Sequence, residues 1–175
     1  MKNMTSTREH ILQYIKENPG ITFRRLVEDL NLGIGTVQYH LSVLEKENLI
    51  ISKKIGGKRY IFPKEFEKEY EPLIRAISTS TQRKILLLLS EGKKNQSEIA
   101  SLLKLSQATV NYHMNQLEEL NLIKKNRRGR QVIYEANFDV ETLVRVISEY
   151  RPKLWDKLAD RLIDLMLEIK GEEHD

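Results

Sequence analysis

The 175-residue chain is 40% hydrophobic and 31% charged, enough apolar material for small cores and too polar for a membrane protein. Its longest apolar run, residues 85–89, falls far short of the ~20 residues that cross a bilayer. The absence of cysteine excludes disulfides and thiolate metal or redox chemistry, and the opening MKNMTSTREH carries no apolar export signal, so the cytoplasm is the expected location. Net charge is +4, but residues 156–175 hold seven acidic against three basic side chains, a net of −4 that leaves +8 on residues 1–155. A basic body with an acidic end favours a polyanionic partner.

The chain spells one pattern twice. TVQYHLSVLEKENLI at residues 36–50 returns as TVNYHMNQLEELNLI at residues 109–123, 73 positions on. The match extends outward: Thr7, Ile11, Leu12 and Ile15 pair with Thr81, Ile85, Leu86 and Leu89, and Leu26, Leu30 and Leu32 with Ile99, Leu103 and Leu105. Downstream, KRYIF matches QVIYEA with a one-residue slip. Each unit spans about sixty residues, enough for a small core of its own, so the pattern marks a duplicated domain. The expected divisions are domain one at 1–64, a connector at 65–78, domain two at 79–138 and C-terminal helices at 139–175.

Both copies give the same elements in order. A first helix is expected after a capping signal, Ser6 with Glu9 in copy one and Thr79 with Gln82 in copy two, and it ends at ENPG or SEGKKN. A short second helix starts at Thr22 or Asn95, with Glu98 completing a capping box after Asn95. Its buried face is expected to be Leu26, Val27 and Leu30, or Ile99, Leu102 and Leu103. After a tight turn, NLG or KLS, the repeated third helix places Val37, Leu41 and Leu44, or Val110, Met114 and Leu117, on one inward stripe. Asn48 and Asn121 stand where helices end in a left-handed residue. Two β-prone stretches around a glycine turn follow, LIISKK-IGG-KRYIF and LIKKNR-RG-RQVIYEA. Three helices and a hairpin define a winged helix-turn-helix, so the fold class is mainly α with small β-hairpins (α+β): two tandem winged domains plus a C-terminal helical extension.

That geometry points to duplex DNA. A helix with its side chains is ~10–12 Å across and the major groove of B-DNA ~12 Å wide. The outer face of the third helix in copy two carries Gln107, Thr109, Asn111, Tyr112 and Asn115, whose amides suit adenine and whose threonine methyl suits thymine. Ser106 is expected to cap this helix and leave free amides near a phosphate. The wing adds Lys124, Lys125, Arg127, Arg128 and Arg130, which fix position on the backbone or probe the minor groove. Copy one is poorer: Thr36, Gln38, Tyr39 and Ser42 follow Gly33, Ile34 and Gly35, and its wing holds Lys53, Lys54, Lys58 and Arg59. Base reading is therefore expected mainly from copy two, with copy one adding affinity, a weaker half-site or protein contacts.

The stretches LNLGIGTVQYHLSVLEKENLI and LLKLSQATVNYHMNQLEELNLI resemble the helix-turn-helix of archaeal and bacterial winged-helix transcription regulators of the ArsR/MarR-like group. Two units in one short chain are similar to archaeal tandem winged-helix regulators. The resemblance covers nearly all of residues 6–138 and implies transcriptional regulation by operator binding, with contacts to the transcription machinery as a further implied partner. The glycine-rich start of the third helix in copy one departs from the usual polar start.

His40 and His113 recur beside Tyr39 and Tyr112. With only two further histidines in the chain, the expected role of these imidazoles is packing beside the core face and bonding a backbone carbonyl, a phosphate contact being the alternative. The tyrosines lie off the buried stripe and are expected to face DNA; Tyr60 and Tyr134 are expected to pack in the wing. No nucleophile with a base, paired carboxylates or phosphate-cradling loop is found, so no enzyme activity, metal or cofactor is expected.

The connector, PKEFEKEYEPLIRAIS, reads as partly helical and packed through Phe66, Tyr70, Leu73, Ile74 and Ile77, holding the domains in a fairly fixed relation. After copy two comes a helix with Leu143, Val144 and Ile147 on one face. A last helix then spaces Leu154, Leu158, Leu162, Leu165 and Ile169 as a seam beside Trp155 and Met166. Homodimerisation along this seam is expected; packing against its own domain is the alternative. The function expected is a sequence-specific, double-stranded DNA-binding transcription regulator, with half-sites about one turn, ~34 Å, apart. A winged-helix protein-interaction scaffold is the rival class, and RNA binding a weaker third, since the third helix lacks an aromatic stacking platform.

Overall fold

The computed structural model describes residues 4–55 and 57–173. It forms two compact units: Met1–Tyr70 with Tyr150–Pro152, and Glu71–Glu149 with Lys153–Asp175.

In the first unit, helix α1 (Met4–Glu17) leads to strand β1 (Ile21–Thr22), helices α2 (Phe23–Leu30) and α3 (Ile34–Lys46), and the hairpin β2 (Ile50–Ile55) with β3 (Lys58–Pro63). The core collects one stripe from each element: Ile11 and Ile15, Ile21, Leu26, then Val37, Leu41 and Leu44, closed by Ile50 and Ile61. Each fully buried Leu or Ile contributes roughly 1.5–3 kcal/mol of transfer free energy, which is what orients α3. Beyond the hairpin, Phe66 stacks on Phe62 at 5.1 Å and meets Tyr150 edge-on at 4.8 Å.

The second unit opens with α4 (Glu71–Ile77), so most of the expected connector belongs to this unit, with Leu73, Ile74, Ala76 and Ile77 buried. Then come α5 (Ser80–Glu91), β4 (Lys94–Asn95), α6 (Gln96–Leu103), α7 (Gln107–Glu119), the hairpin β5 (Ile123–Arg128) with β6 (Gln131–Ala136), and helices α8 (Val140–Tyr150) and α9 (Pro152–Glu173). Both sheets are antiparallel and three-stranded, in the orders β1-β3-β2 and β4-β6-β5. Neither two-residue strand was legible in the sequence. Ile21↔Ile61 and Lys94↔Tyr134 are pairings to a distant wing strand, and Lys94–Asn95 carries no β-branched residue.

The duplication is written most sharply into the backbone. Asn31 and Lys104 both take the left-handed conformation (φ 50° and 56°) after the second helix of their copy, and Asn48 and Asn121 do so (φ 61° and 57°) after the third. Gly57 and Gly129, one register apart in the alignment, turn the wings at φ 78° and 63°. Gly56 of the expected IGG turn lies outside the described residues.

Several local expectations are corrected. Helix α1 starts at Met4, so Ser6 lies inside the helix and is not its cap. Thr79 does stand at the start of α5, but its side chain makes no capping bond. Gln82 is drawn away from that cap to the third helix of its copy, by hydrogen bonds described below. On α6, Ile99 and Ala100 are buried while Leu102 is 57% exposed. Eight residues make barely two turns, and one buried row suffices. On α8 the buried residues are Leu143, Val146 and Ile147, with Val144 at the flank.

The caps of the second helices do form. Thr22 Oγ1 accepts from the Arg25 amide at 3.2 Å and Asn95 Oδ1 from the Glu98 amide at 2.8 Å. Replacing Asn95 by Ala is therefore expected to cost about 1 kcal/mol, and Thr79→Ala distinctly less. Urea denaturation of the two variants side by side checks this; equal losses would contradict the assignment.

Candidate nucleic-acid interface

Helix α7 buries Val110, Met114 and Leu117, which turns Thr109, Asn111, Tyr112 and Asn115 to solvent. Ser106 caps it: its Oγ accepts from the Thr109 amide at 3.1 Å and donates to Thr109 Oγ1 at 2.8 Å. The remaining amides of the first turn are left for an outside acceptor. Gln107 is less available than its sequence position suggests. Its Nε2 donates to Ser97 Oγ, and Gln96 Nε2 donates to both its Oε1 and its carbonyl, each at 3.2 Å. The amides of Asn111 and Asn115, by contrast, make no hydrogen bond among the described residues.

Tyr112 is 59% exposed, yet its orientation is set from below. Gln116 Nε2 donates to the phenol oxygen at 2.9 Å, and Gln116 Oε1 accepts from buried Gln82 on α5 at 2.6 Å. The same Gln82 amide lies 3.3 Å from His113 Nδ1. In the first unit the residue equivalent to Gln82 is Arg8, whose Nε donates to His40 Nδ1 at 3.4 Å. Each histidine meets its tyrosine neighbour edge-on, at 5.3 Å for Tyr39–His40 and 5.2 Å for Tyr112–His113. The imidazoles thus pack beside the core as expected, but their partners are side chains of the first helix of each copy rather than backbone carbonyls. A first-helix side chain is long enough to reach a ring that faces away from its own helix backbone.

Burial lowers the pKa of both imidazoles, and at His40 the Arg8 charge lowers it further. The rings are accordingly neutral, with Nδ1 free to accept. An apolar residue in place of His113 would take one of the two partners of the buried Gln82 amide, leaving it only Gln116.

Helix α3 repeats the geometry with a different surface. Val37, His40, Leu41 and Leu44 are buried; Gly33, Ile34, Gly35, Thr36, Gln38, Tyr39 and Ser42 are exposed. Gly33 caps it through backbone alone. Beside it lies a cleft of about 600 Å³ lined by Thr22, Phe23, Arg24, Gln38, Lys54, Gly57, Lys58 and Arg59. Arg24, at the start of α2, completes a cationic rim that the sequence reading left out. It pairs with Glu28 on its own helix at 3.1 Å, and only folding brings it beside the wing.

The wings are basic, but not uniformly available. Arg59 is tied to Glu45 at 2.5 Å and lies over the Phe23 ring at 5.8 Å. Burial alone would raise the Glu45 pKa, but hydrogen bonds from Ser52 and Arg59, with the Arg59 charge, hold it below the usual carboxylate value. Arg59 therefore braces the hairpin against α3 and is a poorer phosphate ligand than its neighbours. Lys125 pairs with Glu118 at 3.4 Å. Lys54, Lys58, Lys124, Arg127, Arg128 and Arg130 are exposed and form no ion pair among the described residues, whereas Lys53 is half-buried and engaged. Tyr134 is buried in its wing and Tyr60 half-buried, as packing residues.

In α9, Leu162 is fully buried and Leu165 nearly so, while Arg161 is bound to Glu91 of α5. Leu154, Trp155, Leu158 and Ile169 are half-buried, and Ile163 and Leu167 are exposed. Part of the expected seam is thus already covered within its own chain. No helix among the described residues is long and apolar enough to cross a membrane.

A winged hairpin beside a helix with a polar outer face, built twice, defines a tandem winged helix-turn-helix protein. Comparison with known proteins agrees. A family described as "N-terminal HTH domain" matches residues 5–71, and "Bacterial regulatory protein, arsR family" matches residues 79–125. The chain is similar to the uncharacterized HTH-type transcriptional regulator MJ1398 of Methanocaldococcus jannaschii, 34% identical over 134 residues, covering 77% of this chain and 34% of that protein. It thus spans about a third of that relative's length. It is also similar to the transcriptional repressor SdpR of Bacillus subtilis, 34% identical over 68 residues, covering 39% of this chain and 76% of SdpR. Among solved structures, HlyU from Vibrio cholerae aligns with 46% of this chain and 97% of its own, at 24% identity and a TM-score of 0.41. The chain belongs to the helix-turn-helix transcriptional regulators, a non-enzymatic family, and the match to the arsR family lies in its second domain.

The neutral histidines give a pH dependence with a definite sign. The unfolded chain protonates both rings below their usual value of 6.5, whereas the folded chain resists. Stability is full above that pH and declines as pH falls through it. Thermal melts between about pH 7.5 and 5.5 should show this loss, and His40→Gln with His113→Gln should flatten it. An unchanged slope in the double variant would refute the assignment.

Proposed function

We propose that the chain binds double-stranded DNA in a sequence-specific manner. In this reading α7 enters the major groove, α3 engages it more weakly, and the wings lie on phosphate or in the minor groove. The observation that carries it is the second domain's outer face. There the amides of Asn111 and Asn115, without a hydrogen bond among the described residues, stand in one row with Thr109 and Tyr112, beside exposed Arg127, Arg128 and Arg130, which form no ion pair among those residues. Amides offer the paired donor and acceptor that adenine presents in the major groove, and guanidinium groups meet phosphate. In the first domain Thr36, Gln38, Tyr39 and Ser42 supply the groove face, and Lys54 and Lys58 the backbone contacts, with Lys53 and Arg59 bracing the wing. Ser106 and its free amides place one phosphate, and Gln107 acts chiefly by fixing the start of α7. Lys125 contributes after release from Glu118. Such a regulator works in the cytoplasm, where its operator is.

A scaffold role predicts an apolar surface on the third helix. In α7 the exposed face is polar apart from Ala108 and Tyr112, which favours DNA.

Selection of bound sequences from random duplexes at two salt concentrations tests the reading. The full chain should return a motif, and log affinity should fall linearly with log salt. Asn111→Ala should cost about 1–3 kcal/mol at one base position, while Arg128→Ala should weaken all sequences alike and reduce the salt slope by about 1. Identical behaviour of the two variants would overturn the division of roles.

A homodimer through α9 is also proposed. Its support is the half-buried row Leu154, Trp155, Leu158 and Ile169 together with exposed Ile163 and Leu167; Leu162 and Leu165 serve the chain's own core. Light scattering should show the dimer mass for the natural chain and the monomer mass for Leu167→Asp.

A further inference from the structure

The start of α3 has two features that the domain itself does not require. Ile34 is 63% exposed, although an isoleucine gains from burial and the stripe below it is complete without it. Gly33 and Gly35 flank it, and neither is demanded by the fold. Gly33 lies at φ −65°, open to any residue, and a Cβ there would meet only Thr36 Oγ1 at an ordinary 3.7 Å. A Cβ at Gly35 would meet nothing within 4 Å. Glycine in a first turn weakens the helix, so the bare backbone at Gly35 is not explained by the helix itself.

The second copy shows the contrast. The position equivalent to Ile34 is Gln107, folded back on Ser97 and Gln96, and the position equivalent to Gly35 is Ala108. Where α7 begins with side chains turned inward to α6, α3 begins with an apolar side chain turned outward and no Cβ beside it.

The surroundings identify the occupant. Gln38 stands one turn after Ile34 on the same face and lines the cleft with Arg24, Lys54 and Lys58. An exposed apolar side chain one turn from a residue of a basic cleft suits a partner that is polyanionic yet offers a small apolar knob. Duplex DNA does so through the C5-methyl group of thymine, which stands in the major groove among hydrogen-bonding edges.

We propose that the first domain reads sequence by apolar contact: Ile34 packs on a thymine methyl, Gly35 lets the helix start approach the base edge closely, and Gln38 bonds the neighbouring base. This rests on the DNA-binding reading above and assigns the first domain a share of specificity that its lack of polar residues conceals.

The test uses the full chain and a duplex obtained by selection. Each thymine is replaced in turn by deoxyuridine, which removes only the methyl group, and affinity is measured by fluorescence anisotropy at fixed salt. One replacement should weaken the natural chain about four-fold, the worth of one buried methylene. Ile34→Ala should lose a similar factor on the thymine duplex and be insensitive to that replacement, while Ile34→Val keeps the sensitivity. Gly35→Ala should weaken binding although its circular dichroism melt is no lower than that of the natural chain. If every deoxyuridine duplex binds the natural chain as tightly as its parent, or if Ile34→Ala stays equally sensitive, the inference falls while DNA binding stands. If no duplex is bound at all, both fall together.

Discussion

The constraint on which both domains depend is the burial of one stripe of the third helix. Val37, Leu41 and Leu44 in one copy, and Val110, Met114 and Leu117 in the other, lie in the core with almost no exposure. Because side chains at i, i+4 and i+7 share a face, fixing that stripe fixes the rotation of the helix about its axis. The opposite face is then presented without a choice. Which residues form the outer face is thus decided by which residues meet the core. The first helix holds this from one side, and the three-stranded sheet carries the wing from the other.

Polar contacts refine what the core sets. Arg8 with His40 and Gln82 with His113 are the same joint made with different chemistry, one cationic and one amide. In the second copy the amide continues through Gln116 to the phenol of Tyr112, so an exposed tyrosine is positioned from the interior. In the first copy the chain of bonds stops at the ring, and Tyr39 is held by its edge contact with His40. Duplication preserved the joint while letting the surfaces diverge, which fits two helices that address different groups on a duplex.

The wings show how charge count and available charge part company. Arg59 spends its charge on Glu45 and Lys125 on Glu118, pairings across from strand to third helix that stiffen the hairpin. Such half-exposed pairs are worth little in stability, but they remove cations from the set that can meet phosphate. Arg127, Arg128 and Arg130, beyond Lys125, form no ion pair among the described residues. In the second wing the cations left without an acidic partner among the described residues are thus those nearest the tip.

The sequence by itself determined the duplication, the order of elements, the inward stripes, the caps at Thr22, Asn95 and Ser106, and the left-handed turns at Asn48 and Asn121. These are local: a helix period, a side chain bonding an amide three residues on, or a backbone angle that asparagine tolerates. Tertiary structure alone decided the third strand of each sheet, the reach of Arg8 and Gln82 to their histidines, the loss of Gln107 and Arg59 to internal partners, and the exposure of Leu102. It also decided that Leu162 and Leu165 belong to the chain's own core. Each of those turns on a contact between residues far apart in sequence, and periodicity assigns a residue to a face without saying what, if anything, will cover it.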